Sequence, residues 1–388
     1  MLVWIHSPFD NLPQEGFRRE RYWLMAEAFL AAGHRVVYFT TDFNHGTKAK
    51  RVLAKTGGEK RIELQLVPVP AYRRNVSLAR IFSHLVYARR LEKAALKAAT
   101  AERPDLVVSA TPTLGAAKVM SSLARRFGAK TVIDIQDAWP ETFHRLLPPG
   151  LTSLGRILFA GMYRTARRLY RDADFVTGVS GRYRTLLSRP DYYLAYHGIE
   201  TRYPPSAVNR QPSAANRLLY LGNLGSGYDL ETVIEAVALS PTLTLDIAGR
   251  GPKEASLKAL VQARQLKSRV RFHGYLQAAE LTSLAASCAV GVSPMRDDSW
   301  VALPYKLGDY LAAGLKVVSS LHGECGELIV RERLGAVYDL GSAESLLAAL
   351  RAIETLPADK INLPEVLRAD SIYPKYVAFV TSSARTSR

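Results

Sequence analysis

The chain consists of short apolar runs that alternate with longer amphipathic stretches. The runs are rich in β-branched residues, as the buried strands of a parallel sheet are. They occupy residues 2–6, 35–40, 64–70, 105–110, 130–136 and 175–180, and the series restarts at 217–223, 243–249, 269–274, 289–294 and 315–320. Helical patterns lie between several of them; in the first, Tyr22, Met25, Ala26 and Phe29 share one face. Two such series predict an α/β fold with two Rossmann-like domains.

The break between the two series falls in the segment 199–217. This segment is polar, contains three prolines and has no hydrophobic periodicity. We therefore predict a first domain over residues 1–203 and a second domain over residues 204–369, followed by the segment 370–388. The alternative is a long surface loop within one large domain, which the immediate restart of the strand pattern disfavours.

The segment VALPYKLGDYLAAGLKVVSS (301–320) predicts a short helix followed by a strand. Pro304 suits the first turn of a helix, and Gly314 suits its end. Lys306 is unexpected in that first turn, because the helix dipole is already positive there. A diphosphate would explain the lysine, and Asp309, one turn later, could accept hydrogen bonds from ribose hydroxyls. The alternative is a solvent-exposed pair of Lys306 and Asp309, worth roughly 0.2–0.5 kcal/mol.

Glycines follow two strands of the second series, at the strand ends where open α/β sheets bind ligands. The first loop contains Gly222, Asn223 and two further glycines, and the second contains Arg250 between two glycines. Glycines allow backbone N–H groups to approach a phosphate closely, although such loops are often only turns. Together with Pro304 and Lys306, these loops indicate a binding site for a nucleoside diphosphate.

Candidate acidic residues follow two strands of the first series. Asp137 and Glu141 flank Trp139 in the segment DAWPE, and Asp42 and His45 follow an earlier strand. An acid at such a strand end can orient a substrate hydroxyl group or stabilise positive charge that develops in a transition state. We therefore assign Asp137 and Glu141 as catalytic candidates, and Asp42, His45 and Trp139 as acceptor-binding candidates. The alternatives are an Asx turn for the aspartate and an ordinary loop histidine.

Composition adds a strong charge asymmetry to this picture. The net charge is +17, and residues 1–205 contain 32 Lys and Arg against 17 Asp and Glu, whereas residues 206–388 contain 20 against 18. The first half therefore suits an acidic partner: nucleic acid, an anionic membrane surface or a phosphorylated substrate. The two cysteines, Cys288 and Cys325, have no spacing typical of a disulfide scaffold or a zinc site. We recognise no signal peptide and no membrane-spanning run, so we expect a cytoplasmic protein.

Much of the excess positive charge lies on helical stripes. Four arginines near residue 168 are spaced i, i+3, i+4 and i+7, and a second basic cluster shares one helix face near residue 90. Apolar neighbours such as Phe82 and Phe159 make these stretches suitable for an anionic membrane surface, with a solvated charged face as the usual alternative. The candidate membrane-facing residues are Arg89, Arg90, Lys93, Lys97, Arg164, Arg167, Arg168 and Arg171.

The segment VALPYKLGDYLAAGLKVVSS resembles the donor-binding signature of the group 1 glycosyltransferases (glycosyltransferase family 4). LYLGNLGSGYDLETVIEA, LDIAGRGP and VRFHGYL resemble successive strand–loop motifs of that family, and AAGHRVVYFT and VIDIQDAWPE resemble its first half. The resemblance implies a GT-B fold: two Rossmann-like domains with the active site in an interdomain cleft. It also implies that the second domain holds a UDP-sugar or GDP-sugar, that no metal or cofactor is required, and that the anomeric configuration is retained. The last helix, near residues 370–382, would cross back to the first domain.

Some residue roles also come from this resemblance. Gly16, which we expect directly before a helix, would face the donor diphosphate, and Tyr275 and Leu276 would lie at the nucleotide base. Two positions depart from the family pattern. Val301 stands where many members have a glutamate, and Asn223 stands where an Arg/Lys pair is common. Candidates to replace that glutamate are Asp297, Asp298 and Ser299.

The sequence therefore favours a bacterial polysaccharide-type glycosyltransferase. It would transfer a sugar from a UDP-sugar or GDP-sugar to a lipid-linked glycan acceptor, as a peripheral protein on the inner face of the cell membrane. A nucleotide-sugar epimerase of the same fold is one alternative, but it would not need the basic first half. A nucleic-acid-binding protein is another, but it would not explain Lys306 and Asp309. A dinucleotide oxidoreductase is disfavoured because no G-x-G-x-x-G follows the first strand.

Overall fold

A computed structural model describes residues 1–53, 62–74, 77–146, 152–200, 216–296, 301, 303–356 and 361–382. The chain divides into two compact units, one of Met1–Gly198 with Ala369–Arg388 and one of Ile199–Arg368. The boundary expected at residue 203 lies outside the described residues, a few positions from this division. The C-terminal helix belongs to the first unit.

A parallel sheet forms the centre of the first unit. Its strands are β1 (Leu2–His6), β2 (Arg35–Thr41), β5 (Glu63–Val67), β6 (Leu106–Thr111), β7 (Lys130–Ile135), β8 (Phe175–Gly178) and β9 (Tyr193–Leu194). They lie in the order β5-β2-β1-β6-β7-β8-β9, and every neighbouring pair is parallel. The short antiparallel strands β3 (Phe43–Asn44) and β4 (Ala49–Lys50) form a hairpin after β2.

Helices cover both faces of this sheet, because successive side chains of each strand point to opposite faces. The helices are α1 (Arg21–Ala31), α2 (Leu78–Ala101), α3 (Leu114–Phe127), α4 (Thr152–Leu158), α5 (Ala160–Asp172) and α12 (Ala369–Ser382). Val3 and Ile5 of β1 pack into a core that includes residues of α1 and α12, whereas Trp4 packs into a core with residues of α2 and α3. The rings of Phe29 and Tyr376 lie 6.5 Å apart in the first of these cores.

The second unit contains another parallel sheet. Its strands are β10 (Arg217–Leu221), β11 (Thr244–Ala248), β12 (Val270–Gly274), β13 (Val290–Ser293), β14 (Lys316–Ser319) and β15 (Gly335–Val337), and its helices are α6 (Leu230–Leu239), α7 (Glu254–Ala263), α8 (Ala278–Ala286), α9 (Tyr305–Ala312), α10 (Gly323–Arg331) and α11 (Ala343–Ala352). The strand order is β12-β11-β10-β13-β14-β15. One apolar core includes side chains from β10, β11, α6 and α11.

The strands predicted from the sequence are confirmed, with ends that differ by at most three residues. The largest difference is at β5, which ends at Val67 although the apolar run continues to residue 70. Pro68 and Pro70 lack the N–H groups that a strand interior needs, so the ladder stops there. None of the helices in the described ranges has the length and apolar character needed to cross a bilayer.

Candidate functional site

The first turn of α9 holds Lys306 in a buried position. Pro304 caps the helix in an extended conformation, and Lys306 is its second residue. Only 8% of Lys306 is exposed, and its ammonium group has no hydrogen-bond partner among the described residues. Burial lowers the pKa of Lys306 to about 7, and the charge of Asp309 partly opposes this shift. The exposed Lys306–Asp309 pair considered from the sequence is therefore wrong, because the lysine is buried.

Tyr310 fixes the position of α9 against the sheet. Its hydroxyl group accepts a hydrogen bond from the N–H of Leu221 at 2.9 Å and donates one to the carbonyl oxygen of Val292 at 3.0 Å. Any Cβ at Gly291 would overlap the ring of Tyr310. Nothing in the apolar pattern of the segment 301–320 indicated this anchoring role of Tyr310.

The glycine loops after β10 and β11 are hydrogen-bonded to each other. The N–H of Gly222 donates to the carbonyl oxygen of Ala248, and the N–H of Leu224 donates to that of Arg250, both at 3.0 Å. Gly249 has φ = +153°, and a Cβ there would overlap the carbonyl oxygen of Gly222. Only glycine fits this approach, which positions the two loops together.

Lys306 lies beside the first of these loops. Its Nζ is 3.3 Å from the position that a Cβ at Gly222 would occupy. Arg250 is exposed, and its guanidinium group has no hydrogen-bond or ion-pair partner among the described residues. Its Nε is 3.6 Å from the position of a Cβ at Gly274, at the end of β12. The structure thus brings predicted donor-site residues of three strand ends and α9 to one edge of the sheet.

Asn223 packs within the loops. Its Oδ1 is 3.2 Å from the position of a Cβ at Gly225 and 2.5 Å from that of a Cβ at Gly251. It contributes no positive charge, so Lys306 and Arg250 are the cations of this edge that the sequence predicted. Tyr275 is 60% exposed directly after β12, and Leu276 lines a shallow open groove there.

Gly16 does not lie directly before a helix, so that expectation was wrong. It ends a short 3-10 turn, Pro13–Glu15, and α1 begins only at Arg21. The N–H of Tyr22 in the first turn of α1 donates instead to Asp10 Oδ2 at 3.0 Å. Burial and the charge of Glu20 raise the pKa of Asp10 to about 7.

A buried ion pair in the first unit escaped sequence reasoning. Arg21 donates two hydrogen bonds of 2.8 Å to Asp134 in β7, and both side chains are fully buried. Tyr22 and Thr177 also donate to this carboxylate, and Arg21 donates to the carbonyl oxygen of Ala195. The available signal was an aspartate within an otherwise apolar strand. This network fixes the start of α1 against the sheet.

The segment after β7 places Asp137, Trp139 and Glu141 near the carboxyl end of that strand. Asp137 is exposed, and its charge stabilises the half-buried guanidinium of Arg80 in α2. Glu141 begins a 3-10 turn, Glu141–Leu146, and burial raises the pKa of its carboxyl group. A carboxyl group with a raised pKa can act as a general acid or base.

Trp139 belongs to a row of aromatic rings. It stacks on His84 at 6.0 Å and contacts Phe143 at 4.5 Å, while Phe9 lies 5.5 Å from His84 and 5.2 Å from His45. The pKa of His45 is lowered to about 3 and that of His84 to about 4, chiefly because the rings are buried. Both imidazoles are therefore neutral at pH 7.

The two polar acceptor candidates after β2 are engaged by neighbouring residues. His45 Nδ1 lies 2.6 Å from the hydroxyl oxygen of Tyr72. Asp42 accepts hydrogen bonds from Lys50 Nζ at 2.5 Å and from the N–H of Val69 at 2.8 Å. The carboxylate of Asp42 therefore joins the β3–β4 hairpin to the segment after β5.

All predicted membrane-facing basic side chains are exposed on α2 and α5. The first half of α2 also exposes apolar side chains at helical spacing, and Leu78 is 84% exposed. Phe159 and Met162, by contrast, are half buried. The exposed apolar residues of α2 and α4 are Leu78, Ile81, Phe82, Leu85, Leu154, Ile157 and Leu158.

Two points remain, on the residues proposed to replace a family glutamate and on possible metal ligands. Asp297, Asp298 and Ser299 lie outside the described residues. Within the described ranges, no group of three His, Cys, Asp or Glu side chains is arranged as metal ligands.

Two family models match this chain. One, described as "Glycosyl transferases group 1", matches residues 206–369, and the other, described as "Glycosyl transferase 4-like domain", matches residues 19–193. Among curated proteins, the putative colanic acid biosynthesis glycosyltransferase WcaL of Escherichia coli K12 is 26% identical over 52% of this chain and 53% of its own length. WcaI of the same strain is 28% identical over 66% of this chain and 67% of its own length. The chain thus spans about half the length of the first of these relatives.

Solved structures share the fold over the whole chain. Sucrose-phosphate synthase from Thermosynechococcus elongatus has a TM-score of 0.73 at 16% identity and covers 100% of both chains. HepE from Anabaena in complex with UDP has a TM-score of 0.64 at 14% identity, covering 98% of this chain and 99% of that chain. At these identities the likeness shows the fold alone.

Proposed function

The chain belongs to the group 1 glycosyltransferases and has the GT-B fold, and on that premise we propose that it transfers a sugar from a UDP-sugar or GDP-sugar to a hydroxyl group of a glycan acceptor. The proposal covers retention of the anomeric configuration and activity without a metal, both as the family resemblance implies. The site in the second unit would bind the donor, and the strand ends of the first unit would bind the acceptor.

The observation that carries the proposal is the buried ammonium group of Lys306. A buried cation without a hydrogen-bond acceptor is costly, so the fold needs a compensating reason to keep it. A diphosphate supplies that reason because it offers several anionic acceptors at once. The dipole of α9 also favours an anion near its first turn, where Lys306 lies. The exposed Arg250 would neutralise further negative charge.

The remaining donor groups have separate roles in the proposal. Asp309 would accept hydrogen bonds from the ribose hydroxyls, and the exposed ring of Tyr275 with Leu276 would contact the base. Gly222, beside the amine of Lys306, would leave room for the phosphates at the end of β10. The complex of HepE with UDP supports a uridine nucleotide as one candidate, because HepE has the same fold.

We assign the chemistry on the acceptor side to the segment after β7. Asp137 is an exposed carboxylate that would orient the acceptor hydroxyl group, and Glu141 would exchange a proton at that end of the sheet. Trp139 would stack on a sugar ring of the acceptor. The neutral rings of His45 and His84 would line the same region without adding positive charge.

We also propose that the acceptor is lipid-linked and that the first unit contacts an anionic membrane surface. Leu78, Phe82 and Leu85 share one face of α2, and Arg89 and Lys93 continue that face one and two turns later. Apolar residues followed by basic ones suit a helix that lies on lipid headgroups. The protein would then act at the inner face of the cell membrane. The colanic acid relatives are consistent with a polysaccharide acceptor.

A transfer assay tests the function. Purified protein would be incubated with radiolabelled UDP-sugars and GDP-sugars and with vesicles that contain polyprenyl diphosphate-linked sugars, with and without EDTA. We expect one donor to label the lipid fraction equally in both conditions, and NMR of the product to show a retained configuration. Conversion of the donor to its epimer without transfer would favour the epimerase alternative, and an absence of any donor consumption would reject the proposal.

A further inference from the structure

Two tyrosine rings surround the ammonium group of Lys306. Its Nζ lies 4.2 Å from the ring centroid of Tyr220 and 3.7 Å from that of Tyr228. The two rings are 5.8 Å apart and inclined by 71°, so their faces form a corner around the cation. We call these two residues, Tyr220 and Tyr228, the tyrosine pair. Both distances are within the range of a cation–π interaction.

The tyrosine pair lies at the same edge of the sheet as the glycine loops. Tyr220 lies in β10, is fully buried, and donates its hydroxyl hydrogen to the carbonyl oxygen of Asn223 at 2.7 Å. Tyr228 ends the first glycine loop, where its N–H donates to the carbonyl oxygen of Gly225 at 3.2 Å. These hydrogen bonds fix the ring of Tyr220 and the backbone of Tyr228.

Burial of the amine favours the neutral form of Lys306. The titratable groups that face it are Asp309 on its own helix, Tyr220 on β10 and Tyr228 in the loop before α6. Both tyrosines are neutral at pH 7, since burial raises their pKa values. The charge of Asp309 and the faces of the two rings favour the ammonium form, whereas burial favours the neutral amine and lowers the pKa of Lys306 to about 7.

We propose that the tyrosine pair holds Lys306 at the diphosphate position before the donor arrives, and that donor binding is coupled to protonation of this amine from solvent. The inference rests on the proposed function. The proton transfer is simple: the amine gains an N–H bond, a buffer acid loses its proton, and no bond of the nucleotide changes. Tyr220 and Tyr228 are thus positioning residues that act through Lys306.

The direction of the pH effect follows from linkage. A diphosphate beside the amine stabilises the charged form, so the pKa of Lys306 is higher in the complex than in the unliganded protein. Well below pH 7 the amine is already protonated, so its titration adds no pH dependence to the affinity. Above about pH 7 each binding event requires a proton, so affinity should fall by up to about tenfold per pH unit.

Calorimetry with UDP and GDP measures this uptake directly. Above about pH 7 the terminal phosphate of either nucleotide is already a dianion, because its second pKa is about 6. Titrations at about pH 8 in buffers of different ionisation enthalpy should therefore show uptake of close to one proton per site. The control is Lys306→Arg, whose guanidinium stays protonated throughout, so any binding it retains should show no uptake.

Two substitutions test the role of the tyrosine pair. Tyr228→Leu removes the aromatic face, and we expect about tenfold weaker UDP binding at about pH 7. Tyr228→Phe keeps the face and should bind within about twofold of the wild type. Equal losses of UDP affinity in both variants would show that the hydroxyl group or the loop conformation matters instead of the ring. That result would overturn the role of the tyrosine pair.

An NMR titration of the unliganded protein gives an independent test. The lysine side-chain ¹³Cε resonances would be followed with pH, and that of Lys306 would be assigned by its absence in Lys306→Arg. We expect a midpoint near 7, and a midpoint near the ordinary lysine value of about 10.4 would overturn the inference. Failure of both nucleotides to bind would contradict the proposed function, whereas binding without proton uptake would contradict this inference alone.

Discussion

At the residue scale, Lys306 stands apart because its buried ammonium group has no hydrogen-bond partner among the described residues. Lys306 could be singled out from the sequence because a lysine in the first turn opposes the helix dipole. Its burial and its contacts with the tyrosine pair could not be predicted, because Tyr220 and Tyr228 come from a strand and a loop about 80 residues earlier in the chain. Sequence patterns report local structure, whereas contacts of this kind depend on the tertiary fold.

Asp309→Asn tests the ribose assignment. We expect this variant to bind UDP or GDP several-fold more weakly, because a neutral amide is a poorer acceptor for ribose hydroxyls than a carboxylate. Pyrophosphate contains no ribose, so its affinity should fall by less, through the lost charge beside Lys306 alone. Calorimetric titrations with both kinds of ligand provide the comparison, and equal losses for pyrophosphate and the nucleotide would assign Asp309 to the phosphates instead.

Asp137→Asn separates catalysis from donor binding. The carboxylate is assigned to the acceptor side, so the turnover number should fall by at least about a hundredfold while donor affinity stays within about twofold. Steady-state kinetics and donor titration measure the two quantities. A parallel fall of affinity and rate would make Asp137 a binding or structural residue.

Asp134→Asn tests the buried pair with Arg21. Removing one partner leaves the fully buried guanidinium without its counter-charge, which typically costs about 3–5 kcal/mol. Urea denaturation of the first unit should detect the loss. The matched control is Glu102→Gln, which breaks the exposed pair of Arg35 and Glu102 and should cost under about 1 kcal/mol. Similar losses in both variants would contradict a special role for the buried network.

At the element scale, the sequence predicted helices and strands better than their ends. The strands of both series are confirmed because β-branched runs fit buried parallel strands. The start of α1 was wrong by several residues, since Gly16 looked like a boundary while Asp10 and the pair of Arg21 and Asp134 fix the helix at Arg21. Tertiary hydrogen bonds outweighed the local signal there. The hairpin of β3 and β4 was missed because its strands have two residues each.

The exposed face of α2 yields a prediction of its own. Phe82 and Leu85 are both more than half exposed, and we expect Phe82→Ser with Leu85→Ser to reduce binding to anionic vesicles. Leu239→Ser with Val330→Ser removes equally exposed apolar residues from the second unit, and it should leave vesicle binding unchanged. Co-sedimentation measures both. Equal effects of the two double variants would show that α2 has no particular role.

At the scale of the whole molecule, the fold class and the two-unit organisation could be predicted from the chain alone. Alternating β and α patterns limit the possibilities to parallel sheets covered by helices. The row of aromatic rings in the first unit could be predicted only in part: the sequence singled out Trp139 and His45, but not Phe9, His84 and Arg80 around them. Aromatic residues in loops and helices look like ordinary core residues until the fold brings them together.

Charge distribution also acts at this scale. With nearly all of the +17 excess in the first half of the chain, the protein should co-sediment with anionic vesicles at low salt and be released at high salt. Replacing Arg164, Arg167, Arg168 and Arg171 by glutamine should weaken this binding, at about 1 kcal/mol per productive contact. Nucleotide binding by the second unit should not change. Wild-type protein that ignores anionic vesicles at low salt would contradict the proposed membrane surface.

The central claim is that Lys306 binds the diphosphate of a sugar nucleotide. Calorimetric titration of UDP and GDP into wild type, Lys306→Ala and Lys258→Ala tests it most directly, because Lys258 is an exposed lysine of the same unit. We expect Lys306→Ala to lose at least about tenfold in affinity, with an unchanged circular dichroism spectrum, and Lys258→Ala to bind as the wild type does. Unchanged affinity in Lys306→Ala would contradict the account.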